Sequence, residues 1–285
     1  MTGPADSVLR TLLDDGSFRI IAARTTDTVA GALSAQRVTG QTGRALGELV
    51  TSAVLFRETM APGYRVQGIL RGADGKSTIV ADSHPSGDAR GLVQLARGRS
   101  EVGLGPGALL QLMRSLPNGS LNQGVVEIPP SGDLSSAMMA YMQTSEQVTS
   151  LVSVTTVLDG ERVVGAGGFL VQRLPEAGAE ATRRMLDRFS AFGALASEVT
   201  APGFSARSLV DSLLTELSHS ELGEQPIRYH CWCSEVRVMS ALATLDRGEI
   251  EAMLHEGTPV EINCDYCRTE YRIPTAKLRG LLRES

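Results

Sequence analysis

Lysine is nearly absent: Lys76 and Lys277 are the only two in 285 residues. Arginine therefore carries almost all of the positive charge, and the formal net charge is −5. That balance argues against a general nucleic-acid or anionic-membrane binder. Aromatic residues supply 4% of the chain against 42% for all hydrophobic residues, so aliphatic packing must dominate the core. No apolar run approaches the roughly 20 residues that span a bilayer. The N-terminus, Met1-Thr2-Gly3-Pro4-Ala5-Asp6, has neither a basic region nor an apolar stretch of the signal-peptide kind. The cytoplasm is the expected compartment, and thiols there are normally kept reduced.

Cysteine is missing from the first 230 residues, and all four cysteines fall in the last fifth. They form two close pairs, Cys231-Trp232-Cys233 and Cys264-Asp265-Tyr266-Cys267. Two such pairs, about thirty residues apart, can converge as four thiolates on one tetrahedral zinc ion. The same pairs can instead close as two short disulfides, and the two states exclude each other. Zinc keeps sulfur as thiolate, the form that peroxide attacks, and each cysteine has a resolving thiol two or three residues away. The tail is thus a candidate redox switch, with a static zinc-binding interaction module as the alternative. His230 and His255 are minor ligand candidates, because four cysteines already fill a tetrahedron. Arg228, Arg237, Arg268 and Arg272 lie near enough in sequence to offset the charge of four thiolates. Trp232, the only tryptophan, reads as a packing or interaction side chain.

The pattern along the chain predicts an α+β protein. Residues 1–175 read as a large N-terminal α/β domain of β-hairpins with packed helices, and Pro175 ends it. Hairpins are expected across Asp15-Gly16, Ala73-Asp74-Gly75 and Asp159-Gly160, where glycine accepts positive φ. Thr26 or Asp27 can cap a helix towards Gln36, and a second helix runs from Thr42 to about Thr59 with Leu46, Leu49, Val50, Ala53 and Val54 on one face. Strands are expected near Gly91–Leu95, Leu109–Ser115 and Gly124–Ile128, and Asp133 opens a helix through Met142. Residues 176–227 read as an acidic helical linker, with eight acidic and four basic side chains. One helix face there runs through Met185, Leu186, Phe189, Phe192, Ala196 and Val199 to a stop before Pro202, and a second follows through Leu209, Val210, Leu213, Leu214 and Leu217. Residues 228–285 form the small zinc-binding redox-switch domain. A module of that size buries too little apolar surface to be secure alone, and a metal staple is the physical remedy.

Other motifs carry less. Gly72-Ala73-Asp74-Gly75-Lys76-Ser77 has two residues between its glycines where a phosphate loop needs four, so it reads as a hairpin turn. Gly165-Ala166-Gly167-Gly168 within a strand pattern implies a bulge or a close backbone approach. Met138, Met139 and Met142 at helical spacing read as core. No nucleophile motif is present, so no catalytic residue is assigned and the chain is not expected to be an enzyme.

With these residues in view, the chain resembles the redox-regulated heat-shock chaperones, the thirty-three-kilodalton chaperonin family. The cysteine array followed by Tyr271 matches that family's zinc region. Upstream, Gln123-Gly124-Val125-Val126, the segment from Tyr141 to Gln147 (Tyr-Met-Gln-Thr-Ser-Glu-Gln) and Gly165-Ala166-Gly167-Gly168-Phe169-Leu170 look like its N-terminal-domain signatures. The chain departs from the family at Ser234-Glu235-Val236-Arg237, where the acidic residue is shifted, and at Arg268, where glycine is common. The resemblance implies an ATP-independent holdase that is inactive when reduced and zinc-bound. It further implies disulfides Cys231–Cys233 and Cys264–Cys267 on oxidation, release of zinc, exposure of apolar surface to unfolded or oxidatively damaged client proteins, and a homodimer in the oxidised state. Neither nucleic acid nor membrane is an expected partner.

Overall fold

The computed structural model describes residues 3–116 and 119–282. The chain divides into two compact units, Met1–His230 and Cys231–Ser285.

The first unit begins with the hairpin β1 (Ser7–Leu13) and β2 (Phe18–Arg24), then α1 (Thr26–Gln36) and α2 (Gly40–Arg57). The strands β3 (Arg65–Arg71), β4 (Thr78–Ser83), β5 (Asp88–Gln94), β6 (Leu109–Ser115) and β7 (Leu121–Glu127) follow. Next come α3 (Leu134–Thr144) and the long hairpin β8 (Ser150–Asp159) and β9 (Arg162–Arg173). The unit ends with α4 (Ala179–Ala191), α5 (Leu195–Thr200), α6 (Ala206–Leu213), β10 (His219–Pro226) and β11 (Arg228–Tyr229). Two sheets result, ordered β10-β1-β2-β9-β8 and β11-β5-β4-β3-β6-β7.

Helix α2 lies between the sheets, and 14 of its 18 residues are buried. It packs on β3, β4 and β5 from one sheet and on β2, β8 and β9 from the other. A helix apolar on most sides is a buried helix, and here Leu46, Leu49, Val50 and Ala53 centre the main core with Leu70, Ile79, Leu110 and Leu112. Tyr141 closes one end of that core, its ring edge-on to Phe56 at 5.4 Å. Met138 and Met142 belong to the same core, as expected of them, and Met139 packs against it.

The strands β1, β2 and β9 of the first sheet are buried on both faces. Along β2, Ile21 and Ala23 enter the main core, while Ile20 and Ala22 point the other way. The strand's period of two thus feeds two separate cores. The second core joins Leu9, Leu13, Phe18, Ile20, Phe169 and Val171 of the sheet to Met185, Leu195, Val199, Leu209, Val210 and Leu213 of α4, α5 and α6. Phe189 packs tilted against Phe169 at a centroid distance of 5.2 Å, and Phe192 meets it edge-on at 5.6 Å.

The three hairpin turns fall at the expected glycines, with φ of 71° at Gly16, 69° at Gly75 and 60° at Gly160. The glycine run in β9 is a close approach: a Cβ on Gly165 would lie 2.3 Å from the Val199 carbonyl oxygen, and one on Gly168 2.5 Å from that of Ser153.

Three local expectations are corrected. The apolar face expected to continue through Ala196 breaks after Ala191, so α4 and α5 are separate helices. Residues 219–226, expected within the helical linker, form β10 and pair antiparallel with β1, from Ser7↔Pro226 to Leu13↔His219. That ladder supplies an edge partner for β1 and satisfies its outer backbone groups. The residue at the cap of α1 is Thr25, without a side-chain cap bond. Asp6 serves instead, its Oδ2 accepting from the amide and the hydroxyl of Thr28 at 2.6 and 2.7 Å. Asp6 also pairs with Arg24.

The second unit contains α7 (Glu235–Leu242), α8 (Arg247–His255), the hairpin β12 (Val260–Asn263) and β13 (Glu270–Ile273), and α9 (Thr275–Leu281). Its core cluster has three buried residues, Leu242, Ile273 and Leu278, with partly exposed neighbours around them. No helix among the described residues is long and apolar enough to cross a membrane.

Candidate metal centre

Two short backbone devices bring the four cysteines together. Cys231 and Cys233 lie in the extended segment that leads into α7, whose first turn is capped by Ser234 Oγ accepting from the amide of Arg237 at 3.3 Å. Cys264 and Cys267 occupy the loop that joins β12 to β13. The amide of Cys264 donates to the Thr269 carbonyl at 2.9 Å, and the amide of Arg268 donates to the Cys264 carbonyl at 2.7 Å. The last of these turns needs a left-handed residue, and Arg268 takes φ of 63°. Glycine would hold that conformation with less strain, so the departure from the family pattern falls on a position of real backbone demand.

The four Sγ atoms lie within 4.8 Å of one another, and all four residues are half-buried. Cys231 and Cys264 approach to 3.7 Å, and Cys233 and Cys267 to 3.4 Å. Four sulfurs about 2.3 Å from one zinc ion would stand about 3.8 Å apart at the corners of a tetrahedron. The donor set and its spacing therefore fit a tetrahedral thiolate metal. His230 and His255 are not members of the cluster among the described residues.

Two hydroxyl groups touch the cluster. The Tyr271 phenol donates to Cys233 Sγ at 3.0 Å, and Thr269 Oγ1 lies 3.1 Å from Cys267 Sγ. Burial pushes the Cys267 thiol up, but hydrogen bonds from the Thr269 hydroxyl and amide and from neighbouring sulfurs outweigh it and bring the pKa down to about 7. At Cys264 burial prevails and the thiol is raised, despite the amides of Cys267 and Tyr266. Tyr271 is pushed up as well, first by its bond to Cys233 and then by burial and the neighbouring sulfurs. Sulfur that accepts hydrogen bonds is stabilised as thiolate, the form a metal takes.

Of the four arginines expected to offset the sulfur charge, two are engaged elsewhere. Arg228 pairs with Asp88 at 2.7 Å, and Arg272 pairs with Glu261 at 2.5 Å. Thr269 escaped notice in the sequence. Its one visible signal is its place two residues after Cys267, inside a loop short enough to fold back on the sulfur.

A family model described as Hsp33 protein matches residues 6–274. A curated 33 kDa chaperonin of Desulforamulus reducens is 28% identical, over 98% of this chain and 97% of its own length. That of Bacillus subtilis is 27% identical, over 97% of this chain and 98% of its own. The crystal structure of a 33 kDa chaperonin (heat shock protein 33 homolog) from Thermotoga maritima aligns with a TM-score of 0.83 over 99% of both chains. At 21% identity, that likeness is one of fold.

Proposed function

The chain belongs to the Hsp33 family, and from that premise we propose that it is a redox-regulated, ATP-independent chaperone that holds unfolding proteins out of aggregation. The observation that carries the reading is a cluster of four sulfurs in a unit whose buried apolar side chains, among the described residues, are Leu242, Ile250, Ile273 and Leu278. Such a core falls short of what a unit of this size needs. Zinc bound by Cys231, Cys233, Cys264 and Cys267 would supply the missing free energy, on the order of 10 kcal/mol.

Hydrogen peroxide oxidises one thiolate to a sulfenic acid and leaves as hydroxide. The neighbouring thiolate of the same pair then attacks that sulfur, forming a disulfide and expelling a second hydroxide. The proposed pairs are Cys231–Cys233 and Cys264–Cys267. Each bond removes two of the four donors, so the set can no longer hold a metal, and the small unit loses its staple.

The segment just before it, residues 176–227, is the proposed moving part. Helices α4, α5 and α6 cover apolar side chains that β1, β2 and β9 turn into the second core. Each large side chain uncovered there forfeits about 1.5–3 kcal/mol, and together they offer an extended aliphatic and phenylalanine surface to a client. We place this activity in the cytoplasm, with unfolded or oxidatively damaged proteins as clients and a homodimer as the oxidised form. It involves binding without catalytic turnover.

The test is light scattering from a thermally unfolding client protein. The oxidised chain at stoichiometric concentration suppresses aggregation and the reduced chain does not. Equal suppression by both forms, with metal retained, would instead indicate a static zinc-binding module.

A further inference from the structure

A groove of about 1040 Å³ runs between α4 and the hairpin of β1 and β2, inside the first unit. Leu13 and Phe18 of the hairpin, Met185 and Phe192 from α4 and its end, and Leu217 after α6 supply its apolar lining. Its polar lining is unbalanced: five carboxylates, from Asp15, Glu180, Asp187, Glu198 and Glu216, against the guanidinium groups of Arg184 and Arg188. Glu180 is taken by Arg183 and Arg184, and Asp15 accepts from the amide and hydroxyl of Ser17. Arg188 donates to the Leu213 carbonyl at 3.4 Å. Asp187, Glu198 and Glu216 form no ion pair among the described residues.

We propose that this groove docks a short extended peptide segment in which apolar side chains alternate with arginine or lysine. Two facts select that occupant in a groove whose size lies at the upper end of the small-molecule range. Its uncommitted carboxylates come from three elements, α4, α5 and the turn after α6, so they are distributed along the groove. A single small cation would answer one of them, whereas a chain with spaced basic residues answers several and seats its apolar side chains between them. The segment is assigned to another protein: the arginines of this chain that line the groove are already bonded, Arg184 to Glu180 and Arg188 to the Leu213 carbonyl.

The hairpin forms one wall and the connector helices the other, so the groove exists only while those helices are packed. An occupant therefore favours the packed state by mass action. That regulatory consequence rests on the proposed redox function, but the docking site does not.

The experiment uses the reduced full-length protein and a fluorescein-labelled probe peptide, Leu-Arg-Phe-Arg-Leu-Arg, followed by fluorescence anisotropy. Saturable binding is expected, together with at least tenfold weaker binding to the variant Asp187→Asn/Glu216→Gln. Both replaced carboxylates are exposed, and an unchanged melting curve verifies the variant's fold. The charge-reversed peptide Leu-Glu-Phe-Glu-Leu-Glu should not bind. Absence of saturable binding, equal affinity for the two peptides, or equal affinity of variant and parent would each overturn the site. None of those results would touch aggregation suppression by the oxidised protein, so the two readings fail separately.

Discussion

The phenol of Tyr271 and the sulfur of Cys233 are joined by a hydrogen bond of 3.0 Å across 38 residues of sequence. It ties β13 to the segment ahead of α7. Groups that hydrogen-bond a ligand sulfur orient it and stabilise its charge, and their loss commonly costs 10–100-fold in metal affinity. Tyr271→Phe removes the donor and keeps the ring. Zinc should then be held about tenfold more weakly, as read by competition with a chromogenic chelator at fixed pH. An unchanged affinity would reduce the contact to packing.

Weakening the contact of α6 with the sheet should mimic oxidation. Leu209 and Leu213 are fully buried in the second core. A buried Leu→Ala change costs about 2–5 kcal/mol. The double variant Leu209→Ala/Leu213→Ala is expected to suppress client aggregation under reducing conditions, with zinc still bound. Light scattering and metal content, measured on the same sample, check this. A variant that stays inactive although proteolysis shows the helices loosened would argue that the covered face is not the client surface.

At the end of α2, Glu58 lies in contact with Arg57 and 3.5 Å from Arg10. Its side chain is 2% exposed and that of Arg57 8%. Burial, then the nearby Arg10, lowers the Arg57 pKa to about 10. Glu58→Gln leaves that guanidinium buried with no carboxylate, a defect of about 3–5 kcal/mol. Urea unfolding of the first unit should show a loss of that size.

Glu48 gives a pH dependence of known sign. Burial raises its pKa from 4.5 to about 7, with Arg44 and the Thr156 amide opposing and Asp133 assisting. Between those values the folded chain holds a proton that the unfolded chain has released. Stability from this group is therefore complete below about pH 4.5 and is lost as pH rises through about 7. Glu48→Gln should flatten that part of the profile and stabilise the protein at pH 8 by up to about 3 kcal/mol. Thermal melts of both proteins between pH 4.5 and 8 measure it.

How much could be read from the sequence depends on how local each signal is. Gly16, Gly75 and Gly160 mark their turns because positive φ is a property of the residue itself. Asp133 caps α3 through the amides of Ser135 and Ser136, two and three residues on. The cysteine array was readable because metal spacing is local within each pair. Strand β10 was not: its sequence, His-Ser-Glu-Leu-Gly-Glu-Gln-Pro, is polar, and only β1, some 210 residues earlier, makes it a strand. The helix break after Ala191 was hidden because Phe192 continues the apolar face and packs on Phe169 outside the helix. The cap of α1 was missed because its acceptor, Asp6, lies outside the helix, ahead of β1 and β2 in the sequence. Tyr271 was seen as a pattern match, and only the fold turns it towards Cys233.

The central claim is that metal held by four sulfurs keeps the second unit folded and that oxidation of those sulfurs releases both. The most direct measurement follows zinc content, free thiols and far-UV circular dichroism together while the reduced protein is titrated with hydrogen peroxide. About one zinc per chain at the start is expected, with its loss, the loss of four thiols and partial unfolding in step. Reduced protein that carries no metal and is nevertheless compact in residues 231–285 would contradict the account.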